Sequence, residues 1–71
     1  MIKKQHLIQK YLTLLNDFNN NNFNVYISIN TIALMCANME FELLQTCHFK
    51  STEKTTNYIV QNVINGLGVS R

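Results

Sequence analysis

The stretch FNVYISIN, Phe23 to Asn30, alternates without a slip: Phe23, Val25, Ile27 and Ile29 fall on one face, and Asn24, Tyr26, Ser28 and Asn30 on the other. A period of two is the signature of a half-buried β-strand. The segments on either side read as helices, which leaves one short strand in an otherwise helical chain. A lone strand cannot satisfy its own backbone groups. Either a second copy of the chain supplies the pairing strand, or the segment is not a strand at all.

N-terminal to this stretch, Leu7, Tyr11, Leu14 and Phe18, supported by Ile8, Leu12 and Leu15, recur at intervals of three and four. That spacing predicts an amphipathic helix over Ile2 to Phe18. Its other face carries Lys3, His6, Lys10, Thr13 and Asp17 and is expected to be solvated. The asparagine run Asn19 to Asn22 ends it, because asparagine side chains compete for backbone groups and tolerate the left-handed conformation.

C-terminal to the stretch, Thr31 to about Cys47 reads as a second helix, with Asn30 or Thr31 available as its N-cap. At about 100° per residue, Ile32, Met35, Cys36, Met39 and Leu43 make one apolar stripe. Ala33, Leu34, Ala37, Phe41 and Leu44 make another, and only Asn38, Glu40, Glu42 and Gln45 interrupt the girdle. A helix apolar on more than one side is normally buried on more than one side, so a partner subunit is expected to cover part of it. A third helix follows Ser51 or Thr52 as N-cap. It gathers Thr56, Ile59, Val60, Val63, Ile64 and Leu67 on one side, with Gly66 and Gly68 as its stop.

The expected fold is therefore mainly α and a single small domain over residues 1–71. It has three helices, with one short β-strand between the first two completed by homodimerisation. A chain of 71 residues buries only about 60% of its unfolded surface and is marginal alone. Only 14% of residues are charged, against roughly 25% in typical soluble domains, so more of the surface must be neutral or covered.

The formal charge of +2 is far from the dense basic footprint of a dedicated nucleic-acid binder. Cys36 and Cys47 on one helix would be about 16 Å apart along its axis, too far for a disulfide. With no signal peptide and no long apolar run, the sequence reads as a reduced, cytoplasmic protein with no membrane segment.

No catalytic constellation emerges, and an enzyme is not expected. His6 lies on a polar helix face and reads as a solvated histidine. Cys47 beside His48 invites a thiolate reading, but adjacent residues on a helix point about 100° apart and no orienting third group is evident. His6, Cys36, Cys47 and His48 lack the paired close spacings of structural zinc sites, so neither metal nor cofactor is expected. Glu40 and Glu42 diverge on a helix, which argues against a carboxylate pair. Met35 and Met39, four apart in an apolar stripe, read as core or homodimer interface before a surface for a foreign partner.

Two functions fit. The first is a small non-enzymatic regulator acting through protein–protein contact, as a homodimer or as a subunit of a hetero-complex, through Val25, Ile27, Ile32, Met35, Met39, Phe41, Leu43 and Leu44. The alternative is a DNA-binding transcriptional regulator. In order of elements, Phe23 to Leu67 resembles the ribbon-helix-helix repressors. The resemblance implies that Asn24, Tyr26 and Ser28 would read base edges in the major groove, and that Ser51 to Lys54 would approach a phosphate. The chain departs from that family in its longer span from strand to second helix, in lacking a glycine between the helices, and in having no Arg or Lys on the outward strand face. A helix also precedes the strand where the family usually has a flexible arm.

Overall fold

Ser28, inside the alternating stretch, caps a helix. In the computed structural model, which describes residues 3–19 and 28–67 apart from the side chains of 18 and 19, three helices follow one another: α1 (Lys4–Asn19), α2 (Ile29–Thr46) and α3 (Glu53–Leu67). Ser28 has extended backbone, φ −61° and ψ 150°. Its Oγ accepts from the Thr31 backbone N–H at 3.2 Å, which satisfies one of the unpaired donors of the first helical turn.

The strand expected over Phe23 to Asn30 is corrected at its C-terminal end. Ile29 and Asn30 form the first turn of α2, and the N-cap is Ser28 rather than Asn30 or Thr31. The rest of that segment, including Val25, Ile27, Asn24 and Tyr26, lies outside the described residues, among which there is no strand. The physical reason is a competing period. Ile29, Ile32, Ala33 and Cys36 follow the i, i+3, i+4, i+7 pattern of a helix face, and the serine cap lets the helix start as soon as that pattern begins.

α2 is the central element, with α1 and α3 both packed against it. The core draws Leu7, Tyr11 and Leu15 from α1, Ile32, Ala33, Cys36 and Ala37 from α2, and Ile59, Val60 and Ile64 from α3. Ala33 and Ala37 place small side chains on the buried face of the middle helix, which permits close approach of its neighbours. Complete burial of a Leu, Ile or Val side chain contributes about 1.5–3 kcal/mol, so Ile59, Val60 and Ile64 are the main apolar anchors of α3. The apolar girdle of α2 thus finds much of its cover within the chain.

At its C-terminus α2 stops where Cys47 turns to extended backbone and its N–H closes on Leu43 O. The start of α3 is held by a reciprocal cap. The Thr55 N–H donates to Thr52 Oγ1 at 3.2 Å, and the Thr52 N–H donates to Thr55 Oγ1 at 2.9 Å. This is the capping-box arrangement with threonine in place of the usual glutamate. Of the two caps expected, Thr52 takes the role and Ser51 is left for another one. Gly66 lies inside the last turn of α3, and Gly68 is outside the described residues.

Candidate functional site

A carboxylate sits in the core. Glu40 is 0% exposed, and it lies on the same face of α2 as Ala33, Cys36 and Ala37. Its Oε1 accepts from Lys10 Nζ at 2.7 Å and from the Tyr11 hydroxyl at 2.5 Å, both on α1. Its Oε2 accepts from Ser51 Oγ at 2.5 Å, just before α3. Lys10 Nζ also donates to Thr56 Oγ1 in the first turns of α3 at 3.2 Å. The same ammonium stands 4.9 Å from the centroid of the Tyr11 ring. One carboxylate therefore joins α1, α2 and the entry to α3, and among the described residues no buried side-chain polar atom lacks a partner.

The surroundings fix the protonation states. Burial by itself would raise the Glu40 pKa. Hydrogen bonds from Lys10, Ser51 and Tyr11, together with the positive charge of Lys10, outweigh it and hold the carboxyl below its usual range. Tyr11 is driven well above its ordinary value, first by burial and then by its hydrogen bond to Glu40 and the carboxylate's charge. Burial pushes the Cys36 thiol up to about 12, with the Glu40 charge adding to it. The node is thus an ion pair surrounded by two neutral, reluctant acids. This carboxylate is closed off from solvent, with both oxygens hydrogen-bonded, and it ties three elements together.

Sequence reading missed this site. Helical spacing puts Lys10 on the face expected to be solvated, whereas its side chain is only 35% exposed and is turned onto Glu40. By spacing alone Glu40 is a break in the apolar girdle. The available signal was its register: it continues the buried arc of Cys36 and Ala37, where a charge requires a countercharge.

The residues expected at an interface are divided by the fold. Ile32 is fully buried within the chain. Met39, Phe41, Leu43 and Leu44 are half-buried against the core, and Lys4 Nζ lies 5.2 Å from the centroid of the Phe41 ring. Met35 is 39% exposed, and beside it Leu34 is 44% exposed. Together with Thr31, Asn38, Glu42 and Gln45, these two make the outward face of α2. Of the residues assigned to nucleic-acid contact, Ser28 caps α2 and Ser51 donates to Glu40, while Lys54 is exposed.

Cys36 is buried and Cys47 exposed, both as free thiols. Among the described residues no group of three His, Cys, Asp or Glu is placed to hold a metal ion, and no helix is long and apolar enough to cross a membrane. Compared with known proteins, the chain matches no family model, and no curated protein or solved structure shows significant similarity to it.

Proposed function

We propose that this chain is a small non-enzymatic interaction module that binds another protein surface through the outward face of α2. The observation that carries the reading is the pair Leu34 and Met35, 44% and 39% exposed, on the middle helix of the bundle. Large apolar side chains exposed side by side are a contact surface when a partner covers them, and methionine adapts its shape to such a partner. The flanking exposed residues Thr31, Asn38 and Gln45 are uncharged, and Glu42 alone brings a charge to this face. Their amides and hydroxyls would have to find hydrogen-bond partners across the contact. The preferred occupant is a second copy of the chain, since self-association also supplies the extra burial that a domain of this size calls for. The nucleic-acid alternative draws less support, because Ser28 and Ser51 spend their hydroxyls inside the chain.

The test is the mass of the purified chain by light scattering across a concentration series, compared with a Leu34→Glu/Met35→Glu variant. A dimer that the double variant converts to monomer supports the proposal. A wild-type chain that stays monomeric at high concentration overturns the homodimer. An assembly that survives both substitutions removes this face of α2 from the contact. Met35 and Leu34 serve better here than Met39, whose half-burial against the core would mix a folding defect into the result.

A further inference from the structure

We infer that the Glu40 node is a release catch for α3, so that α3 can leave the bundle as a unit while α1 and α2 stay packed. The geometry is asymmetric. α1 and α2 are packed along one another, whereas α3 packs its backbone against α2 and meets α1 through side chains, Thr56 against Lys10 and Tyr11. The polar ties of α3 converge at its N-terminal end. Ser51 donates to Glu40 Oε2 from the connection just before the helix. Thr56, one turn in, receives Lys10 Nζ, whose other partner is Glu40 Oε1. Toward its C-terminal end, Ile64 is buried and Val63 and Leu67 are half-buried against the core. Ile59 and Val60, fully buried just after the ties, and Ile64 further along hold α3 to the core by apolar contact, so cutting the ties lowers the cost of opening α3 without removing that contact.

The groups facing Glu40 can be named from every element packed on it. Lys10 and Tyr11 come from α1, Cys36 from the preceding turn of α2 itself, Ser51 from the connection, and Thr56 of α3 through Lys10. Lys10 is the cation among them, and it serves both α2 and α3. Each bond is a hydrogen bond to or from a charged group, the class with the larger net contribution. Cutting the ties on the α3 side leaves the Lys10–Glu40 ion pair and the Tyr11 bond in place. What is lost is the polar anchorage of α3, and Ile59, Val60 and Ile64 are the face that opening uncovers. Local opening of a peripheral element at lower free energy than global unfolding is the usual form of native-state fluctuation.

The test is backbone amide hydrogen exchange on the full chain, comparing wild type with a Ser51→Ala/Thr56→Val variant. The expected result is a loss of protection of roughly tenfold or more across α3, the equivalent of a hydrogen bond to a charged group, with α1 and α2 unchanged. Parallel loss in all three helices would overturn the inference, because the bundle would then open only as a whole. So would unchanged protection in α3. Should the double variant fail to fold, Ser51→Ala alone is read by the same two outcomes.

Discussion

Lys10 Nζ and Glu40 Oε1 meet at 2.7 Å from helices thirty positions apart in the chain, with the lysine side chain 35% exposed and the glutamate 0% exposed. The pair is unequal. The lysine can return to water if its partner is lost, but the carboxylate cannot.

That inequality predicts different pH signatures for the two deletions. Glu40→Ala and Lys10→Met should each destabilise the fold by a few kcal/mol, within or somewhat below the ~3–5 kcal/mol typical of breaking a buried pair, since Lys10 is partly screened by solvent. In Lys10→Met the burial of Glu40 is no longer offset by a cation, so the carboxyl titrates higher than in the wild type. Protonation then relieves the buried charge, and the variant's deficit should shrink as the pH falls. Glu40→Ala should gain no such relief. Urea midpoints measured by circular dichroism at pH 7 and pH 4 separate the two, and identical profiles would contradict the assignment.

The wild-type stability profile should have two shoulders. Glu40 has a folded pKa below its unfolded value. Its contribution is therefore complete above the ordinary glutamate value, near 4.3, and is lost as the pH falls through the folded value. Cys36, at about 12, and Tyr11, higher still, have raised folded values. Their contributions are complete below the ordinary cysteine and tyrosine values, near 8.5 and 10, and are lost as the pH rises beyond them. The expected curve is a plateau from about pH 5 to pH 8. A maximum displaced well outside it would show that other groups dominate.

The two thiols should react at very different rates. Cys47 is exposed and should be alkylated promptly in the native state, whereas Cys36, buried with a raised pKa, should react only through opening of the bundle. Mass spectrometry of a timed iodoacetamide reaction should show one fast modification and one slow one. Equal rates would mean that the core around Cys36 is open to solvent.

Ser28 and Thr52 should each cost about 1 kcal/mol when replaced by alanine, the usual value of an N-cap. Ser28→Ala removes the acceptor for the Thr31 N–H, and Thr52→Ala breaks the reciprocal pair with Thr55. Denaturant midpoints give the measurement. A neutral Ser28→Ala would move the start of α2 away from residue 28.

Three helices, their approximate ends and their apolar faces were legible in the chain itself. Leu7, Tyr11 and Leu15, or Ile59, Val60 and Ile64, recur at helical spacing whatever they later touch, and Thr52 can cap from local sequence alone. The start of α2 was misread because Ile27 and Ile29 satisfy a period of two while Ile29 and Ile32 satisfy a helical one, and short apolar runs do not separate the two patterns. The expected interface residues differ for another reason. Ile32 and Met35 share one stripe by wheel geometry, yet α1 and α3 flank α2 so that the first is buried and the second is left outside.

The Glu40 node belongs wholly to the tertiary structure. Sequence determines that Glu40 lies in register with Cys36 and that Lys10 and Tyr11 stand side by side on α1, because helical period is a local property. Whether those residues meet depends on how the helices are set against one another, and that is decided by packing of the whole core. Only the assembled bundle turns an apparent flaw in an apolar face into the point where three elements are joined, because a carboxylate is tolerated there only once a lysine, a tyrosine and a serine from elsewhere in the chain have replaced its water.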